Sequence, residues 1–349
     1  MKYLIVQFVL LFFSSVFAQP IIKIIETQTL IQDSLFFPSD LAYADGWLFA
    51  KAEMSEYGIV IINPDTGEFE YQFGKQGRGP AEYSNNFTIQ RGPGSRTLEV
   101  SDTGNRKNDI YSIDCLKEKP IASLVHTCII NSAKIMASRQ ALILDNKTIV
   151  NHGSTPDGIL FLSKGNLKLN YLDTIPQEIK SEYKKPIHSA FAMTGRIAAS
   201  SDRTKFAYFA DSYDRILFFD KKGDEVALIK EKKFTFLPQF NVKDFGSSSY
   251  MEASDDYKGA FYSPITRNES YYVLFSGKTS SDINQKGGPE WRASSNRIKI
   301  YNYSGVEKGE IILDKDVFVI ELTENENQLF AMHINQNLIN TIIKAEIEN

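Results

Sequence analysis

The feature that most restricts how this chain can fold is a β-hairpin that recurs along it. The clearest copy is Asn296–Asp314, in which Ile298 and Ile300 alternate with charged residues before a Ser-Gly turn. A tight turn needs a residue that accepts a positive φ at little cost, and Gly305 fills that role. Because a single hairpin is marginal in water, each copy must belong to a larger sheet.

The spacing of the hairpins indicates the architecture. Their first strands start at Ile59, Ile110, Ile159, Ile216, Ile298 and Leu338, at intervals of 51, 49, 57, 82 and 40 residues. Most intervals match the roughly 40–50 residues of one four-stranded propeller blade. A strand–turn–strand element precedes each hairpin, as in Leu41–Ala50 around an Asp-Gly turn. The repeats predict an all-β chain that forms a six-bladed β-propeller with four-stranded antiparallel blades.

The two ends of the repeat series predict how the ring closes. Ile21–Ile31 is strand-like and has no hairpin partner, whereas the last unit ends in Asn337–Ile347, a strand pair or one long strand. Propellers close by pairing a strand from one terminus with the blade at the other, which leaves no exposed edge. The N-terminal strand is therefore expected to complete the last blade. Two β-sandwich domains are the alternative, although no linker or composition shift divides the chain.

The long interval of 82 residues holds two segments that read as irregular. Phe240–Gly259 is polar, and Gly277–Ser295 has the composition of a long surface loop. Loops of this length in compact domains are either functional or disordered. Trp291, in the second segment, is a candidate aromatic for contact with a glycan or a peptide.

Residues 1–18 have the pattern of a signal peptide. Lys2 precedes a run from Tyr3 to Phe13 that is apolar except for Gln7, and Val16 and Ala18 occupy the −3 and −1 sites of a signal peptidase. The run is short for a membrane span, and no later run approaches that length. The expected mature chain, residues 19–349, is one propeller domain without a membrane span.

Charge and cysteine content limit the partners. The 39 basic and 43 acidic residues are spread evenly, without the basic stripe of a nucleic-acid binder, so no nucleic-acid partner is expected. Export makes a disulfide chemically possible. Cys115 and Cys128 fall on neighbouring units of the predicted repeat, so a bridge and two buried thiols both stay open.

Gly74–Tyr83, with the sequence GKQGRGPAEY, follows the first hairpin. With the exported six-unit pattern and Tyr271–Lys278, it resembles the secreted TolB-like six-bladed propeller proteins of Gram-negative bacteria, relatives of the NHL-repeat propellers. Those proteins carry a G-x-G-P-G-E-F type loop, in which Ala81 here replaces the usual glycine and Tyr83 the phenylalanine. The resemblance implies a periplasmic or extracellular propeller and no particular activity.

Two interpretations of this loop stay open. In the structural one, the glycines suit a tight crossover between blades, Glu82 accepts backbone N–H groups, and Tyr83 plugs the space between the blades. In the functional one, Arg78 presents its guanidinium to the central funnel and holds an anion.

The sequence contains no motif of a known catalytic or metal site. The four histidines, His126, His152, His188 and His333, show no metal-binding spacing, and Asp102–Arg106 lacks the ligand alternation of a calcium loop and reads as a turn. No catalytic residue, metal ligand or cofactor is predicted. The alternative is a metal-dependent hydrolase or lyase of the lactonase-like propeller type, which would bring calcium or zinc ligands together at the axis.

Loops that lead into the innermost strands of a propeller gather at one mouth of the channel. By the repeat register, the candidate ligand-binding residues there are Asp40, Arg78, Asn86, Asn131, His188, Tyr262 and Ser263, and Trp291 is added from the long loop. This polar set suits a hydrogen-bonding ligand, including an anion; a water-filled rim is the other interpretation. The predicted function is an exported, non-catalytic binding propeller with a peptide, glycan or protein partner.

The first testable prediction concerns processing. The mature protein should begin at Gln19, because Ala18 provides the small residue that signal peptidase requires. N-terminal sequencing of protein from the periplasmic or culture fraction checks this. An intact Met1 in that fraction would contradict the predicted signal peptide.

Overall fold

The computed structural model contains the hairpin repeat in six blades, each built on four antiparallel strands. It describes residues 21–32, 38–53, 55–114, 124–129, 137–155, 158–164, 168–183, 185, 188–189, 192–245, 248–279, 281–282, 294–334 and 339–347. The predicted signal peptide, Asn131, Trp291 and Cys115 lie outside these residues. Gly305, in the turn of the defining hairpin, has φ +78°, as a tight turn requires.

Two strands precede the first blade: β1 (Ile21–Ile25) and β2 (Gln28–Gln32). Blade 1 consists of β3 (Pro38–Ala44), β4 (Trp47–Ala52), β5 (Tyr57–Ile62) and β6 (Phe69–Lys75). Blade 2 consists of β7 (Phe87–Arg91), β8 (Thr97–Asp102), β9 (Lys107–Ser112) and β10 (Leu124–Ile129). Blade 3 consists of β11 (Ala137–Asp145), β12 (Thr148–Ser154), β13 (Gly158–Lys164) and β14 (Lys168–Thr174).

A short helix, α1 (Gln177–Glu182), leads to the second half of the ring. Blade 4 consists of β15 (Gly195–Ala199), β16 (Lys205–Ala210), β17 (Ile216–Lys222) and β18 (Glu225–Lys232), followed by the separate hairpin β19 (Phe240–Phe245) and β20 (Ser248–Ala253). Blade 5 consists of β21 (Phe261–Arg267), β22 (Ser270–Phe275), β23 (Ser295–Asn302) and β24 (Glu307–Val317). Blade 6 contains β25 (Val319–Leu322), β26 (Gln328–Ile334) and β27 (Asn340–Glu346).

The core consists of apolar layers between neighbouring blades. Because side chains alternate across a strand, each sheet presents an apolar face to the blade on either side. The stacked rings of Phe206 and Phe219, with centroids 4.8 Å apart, belong to the layer between blades 3 and 4. Phe209, Phe218 and Tyr271 pack edge-on or tilted between blades 4 and 5. Six such clusters, one for each pair of neighbouring blades, occupy the described part of the ring.

The N-terminal segment closes the ring, and it does so twice. β2 pairs antiparallel with β27 and supplies the fourth strand of blade 6, which confirms the predicted closure. β1 pairs parallel with β24 and gives blade 5 a fifth strand. The single strand expected over Ile21–Ile31 is therefore divided, and the Thr27 amide and hydroxyl at the break both donate to Asp314 Oδ1, at 3.2 and 2.7 Å.

One other expectation is corrected by the structure. Phe240–Gly259 is not irregular, because most of it forms the hairpin β19–β20. Cys128 lies in β10 of blade 2, whereas Cys115 lies outside the described residues, so the arrangement of the two cysteines stays a prediction. Among the described residues, no helix has the length and apolar character needed to cross a membrane.

The second prediction concerns closure. A variant that lacks residues 19–32 loses β1 and β2, leaves an open edge on blade 6 and should melt at a Tm lower by roughly 5 °C or more. A matched variant that lacks only residues 19–26 keeps β2 and should lose less, because β24 is still paired with β23. Circular dichroism melting compares the three forms. Equal Tm values for the complete mature chain and the variant that lacks residues 19–32 would contradict closure by β2.

Candidate ligand-binding face

Each innermost strand has one edge without a neighbouring strand, and side chains of other blades form hydrogen bonds with the backbone groups on that edge. β3, β7, β11, β15, β21 and β25 each stand at the end of their sheet and line the axial channel. Buried backbone groups at such an edge need partners. Asp40 Oδ2 accepts the Ile89 N–H at 3.1 Å, which joins blade 1 to blade 2. Ser263 Oγ accepts the Ile320 N–H at 3.0 Å, which joins blade 5 to blade 6.

A glutamine and a glutamate perform the same task between blades 2, 3 and 4. The Gln140 side-chain oxygen accepts the Ile197 N–H at 2.7 Å, and its nitrogen donates to the Ile197 carbonyl at 3.0 Å. Glu99 Oε1 accepts the Ile143 N–H at 2.9 Å. The polar residues around the axis therefore replace the strand that each inner edge lacks.

Two buried ion pairs extend this network over longer spans. Arg203, in the turn after β15, donates to Glu99 Oε2 at 2.6 Å and so links blade 4 to blade 2 across blade 3. Arg267 donates to Glu321 at 2.8 Å and to the Tyr43 carbonyl at 3.0 Å, which links blades 5, 6 and 1. Both pairs have almost no solvent exposure. Such pairs are sensitive to the loss of one member, because the charge left behind is buried.

The axial channel is consequently narrow and polar. Asp40 and Arg196 come from opposite blades, and their nearest charged atoms are 3.9 Å apart across it. Burial raises the pKa of Asp40, and the Arg196 guanidinium and two backbone N–H groups oppose that rise. The volume of the channel is about 50 Å³, which is enough for a few water molecules and far below the 300–1,000 Å³ of typical ligand pockets.

Two larger cavities lie on one face of the ring, where the chain crosses from blade 1 to blade 2. The crossover, Gln76–Asn86, is held by its own backbone, since the Gly77 N–H donates to the Tyr83 carbonyl at 3.0 Å. Glu82 Oε2 accepts the Gly79 N–H at 2.8 Å, in agreement with the structural interpretation of this loop. A Cβ at Gly77 would collide with the Glu82 carboxylate, so a side chain there would disturb the hydrogen bond between Glu82 and the Gly79 N–H.

Tyr83 fixes the crossover to both blades, because its N–H donates to the Lys75 carbonyl of blade 1 at 2.8 Å and its side chain packs into blade 2. It is 1% exposed, and its ring packs against Phe87 with centroids 5.3 Å apart. Its hydroxyl donates to Asp109 Oδ2 at 3.1 Å and forms a further hydrogen bond with the Tyr111 hydroxyl. Burial, with the nearby Tyr111 and Asp109, raises the pKa of Tyr83 well above its ordinary value, so the phenol stays protonated. Tyr83 is thus the plug between blades that the sequence predicted.

The crossover separates two cavities. The blade-1 cavity, about 510 Å³, lies between the crossover and the turn after β4, and its lining includes Lys51, Glu53, Glu56 and Lys75. Its charges are paired, with Lys51 3.3 Å from Glu53 and Lys75 2.9 Å from Glu56. The arginine cavity, about 570 Å³, lies on the other side against blade 2 and is lined by Arg78, Gly79, Pro80, Gly104, Asn105, Arg106, Lys107, Asp109, Leu124 and Thr127.

The structure brings together only some of the candidate residues predicted from the sequence. Asp40 and Ser263 line the axial channel and bind backbone groups there. Arg78 lines the arginine cavity and is not among the residues that line the channel. Asn86 is exposed in the crossover, Tyr262 is half-buried in β21, and His188 is buried between α1 and β15. Their part in ligand binding stays a prediction.

Several residues that shape this region had no signal in the sequence. Glu99, Gln140, Arg203, Arg267 and Glu321 lie in or beside strands, and their partners are distant in the chain; Arg203 and Glu99, for example, are 104 positions apart. A polar residue at an alternate position of a first strand is the one indication that could have identified some of them. Arg106 was hidden in a segment that reads as a simple turn.

The four histidines do not meet. His152 is buried, its Nε2 lies 3.3 Å from the Met193 carbonyl, and burial lowers its pKa to about 3, so the ring is neutral. His333 lies in blade 6, with Nδ1 2.8 Å from the Asp316 carbonyl. In the part of the chain that the structure describes, no three histidine, cysteine or acidic side chains are placed to hold a metal ion.

Comparison with solved structures agrees with the six-bladed β-propeller fold. No protein-family model and no curated protein matches the chain. A member of the DUF4221 family from Bacteroides vulgatus has 9% identity and a TM-score of 0.53, over 95% of this chain and 98% of that one. A proposed exported protein of Bacteroides fragilis has 9% identity and a TM-score of 0.51, over 94% of this chain and 100% of that one. At this identity the likeness concerns the fold alone.

The third prediction tests the structural role of the axial network. Arg203→Met leaves the Glu99 carboxylate buried without its cation and should lower the free energy of unfolding by about 3–5 kcal/mol. Adding Glu99→Gln removes the charge, keeps an acceptor for the Ile143 N–H and should recover part of that loss. Lys299→Met, which removes a pair on the outside of blade 5, should cost less than about 1 kcal/mol.

Urea unfolding monitored by circular dichroism measures all three variants. If Arg203→Met costs no more than Lys299→Met, the buried pair does not hold the blades together. An equal loss in the single and the double variant would show that the unpaired charge is not the cause.

Proposed function

We propose that the protein is an exported, non-catalytic binding propeller that takes its ligand on the blade 1–2 face. The observation that carries this proposal is the contrast in size between the channel and the cavities. The axial channel offers about 50 Å³, whereas the two cavities beside the crossover offer about 510 and 570 Å³. The proposed partner is a peptide, a glycan or a protein, and no metal or other cofactor is included.

The groups at the axis favour binding over metal-dependent hydrolysis. An enzyme of the lactonase-like type would need three or four ligand atoms directed at one point. The carboxylates that line the channel are directed elsewhere, since Asp40 accepts a backbone N–H group and Glu321 is paired with Arg267; the nearby Glu99 also accepts a backbone N–H group. Stoichiometric calcium or zinc in gently purified protein would oppose the proposal and favour the enzyme.

Export and the relationship to the TolB-like propellers belong to the same proposal. The signal pattern of residues 1–18 supports secretion to the periplasm or beyond, with residues 19–349 as the mature propeller domain. The crossover geometry is consistent with the family's loop, because Ala81, which stands where glycine is usual, has φ +54°. That is the left-handed region in which glycine is favoured.

The fourth prediction tests the face rather than a particular ligand. Mature protein is screened by thermal shift against peptide and glycan libraries, and each hit is titrated against Lys51→Ala in the blade-1 cavity and Arg78→Ala in the arginine cavity. One of the two variants should weaken binding by roughly 1.5–3 kcal/mol, as expected for a lost charged hydrogen bond.

Arg96→Ala is the matched control, because Arg96 lies in blade 2 in the turn between β7 and β8, on the opposite face. It should bind as the wild type does. Hits that respond to Arg96→Ala, and to neither cavity variant, would move the binding site to the other face.

A further inference from the structure

We propose that the arginine cavity binds an acidic peptide segment, whose side-chain carboxylates meet Arg78 and Arg106. This inference rests on the proposed function and specifies the ligand of one of its two cavities. The argument begins with charge. Four side chains of the lining are ionisable, Arg78, Arg106, Lys107 and Asp109, and three of them are basic.

The floor of the cavity is electrically balanced. Lys107 Nζ lies 3.1 Å from Asp109 Oδ2 and donates to the Gly79 carbonyl at 3.2 Å, and it stands 4.5 Å from the centre of the Tyr83 ring. Asp109 also accepts the Thr127 hydroxyl at 2.9 Å. Both charged side chains are buried and paired, so neither offers a net charge to a ligand.

Unlike Lys107 and Asp109, the two arginines at the rim of the cavity are exposed and unpaired among the described residues. Neither has a hydrogen bond or an ion pair to any of those residues. They leave the cavity with two uncompensated positive charges. The blade-1 cavity provides the contrast, because its lysines are each paired with a glutamate.

Both arginines project from backbone that is fixed in advance. Arg78 lies between Gly77 and Gly79, whose N–H groups are hydrogen-bonded to Tyr83 and Glu82. Arg106 follows Asn105, whose N–H donates to Asp102 Oδ1 at 3.0 Å and whose side chain donates to the Gly77 carbonyl at 2.7 Å. The turn and the crossover are thus joined, and pre-organisation lowers the entropic cost of binding.

Arg106 also has an unusual backbone conformation. Its φ is +55°, in the left-handed region that costs an ordinary residue about 1–2 kcal/mol and that glycine adopts freely. Glycine would suit this turn better, yet the position holds a long cationic side chain at the edge of a cavity. The surrounding structure holds this conformation, because the neighbouring Asn105 is bonded to Asp102 and to the Gly77 carbonyl.

The guanidinium groups at the rim favour carboxylates as ligands, and the residues that line the cavity favour a peptide. Planar guanidinium groups bind carboxylates through two parallel hydrogen bonds. A simple anion would leave most of the 570 Å³ empty. Sugar rings are commonly held by stacking on exposed aromatic rings, and the described lining has none, whereas Pro80 and Leu124 offer apolar contact for aliphatic side chains.

The test uses mature protein and two synthetic peptides, tetraglutamate and tetraglutamine with blocked ends, titrated calorimetrically at low salt. Tetraglutamate should bind at least tenfold more tightly than tetraglutamine. Arg78→Gln and Arg106→Gly should each weaken tetraglutamate binding roughly tenfold or more, as expected for lost charged hydrogen bonds. Lys75→Gln, which removes a positive charge from the blade-1 cavity, should leave the affinity within about twofold of wild type.

Arg106→Gly separates binding from folding. Glycine relieves the strained φ, so this variant should melt no lower than wild type while it loses tetraglutamate binding. Equal affinity for both peptides, or an equal loss in Lys75→Gln and Arg106→Gly, would overturn the proposal. Tighter binding of an oligogalacturonate would overturn the peptide assignment, and full competition by millimolar sulfate would reduce the site to one for simple anions.

These results distinguish the inference from the function on which it rests. If tetraglutamate does not bind, while a library ligand binds Lys51→Ala more weakly than wild type, the acidic-peptide assignment is wrong and the binding function stands. If no library hit responds to either cavity variant, the binding face itself is wrong.

Discussion

The structure depends on how six inner strands, each with one free edge, avoid burying unsatisfied backbone groups. In an open sheet such an edge would pair with another strand or face water. Around the axis there is no room for another strand and space for only a few water molecules, so side chains from neighbouring blades provide the missing donors and acceptors. Asp40, Gln140 and Ser263 each serve one such junction. Apolar layers hold the blades face to face, and these hydrogen bonds fix their angular positions.

This arrangement has a consequence for function. From the sequence alone, the polar residues at the axis of a propeller resemble a ligand site, because they are acidic, basic or amide residues at the repeat positions that lie near the channel. Here they are already engaged, and the ion pairs of Arg203 and Arg267 add long cross-links. The uncommitted charge lies away from the axis, on a crossover whose own backbone is held by glycine and by Tyr83.

The sequence predicts the fold well, because each blade has the same local pattern of strand alternation and turn residues. Period-two alternation and the Ser-Gly turn of Asn296–Asp314 identified the hairpin, and the spacing of its copies identified the blade number. The closing strand followed from an unpaired segment at one end. What local pattern could not show is that Glu26 and Thr27 divide that segment between two blades, since the break depends on Asp314, 287 positions away.

The candidate site was predicted less well, for a related reason. The register placed Asp40 and Ser263 near the axis, as observed, but their partners are backbone groups of other blades and leave no trace in the sequence. The loop GKQGRGPAEY was recognised, and its structural roles for Glu82 and Tyr83 agree with the structure. The partner of Arg78 at the cavity rim, Arg106, is a residue of a turn whose strain is visible only in the backbone angles.

The divided N-terminal segment also governs when the molecule can become a ring. β1 and β2 precede blade 1, yet their partners are β24, in blade 5, and β27, the last described strand, so this closure joins distant parts of the chain. Contacts at such separation form late, because the intervening chain must be ordered first. A chain exported across a membrane from its N-terminus would therefore remain an open ring until its final blade emerged. The ring would then close through two strand pairings, β1 with β24 and β2 with β27.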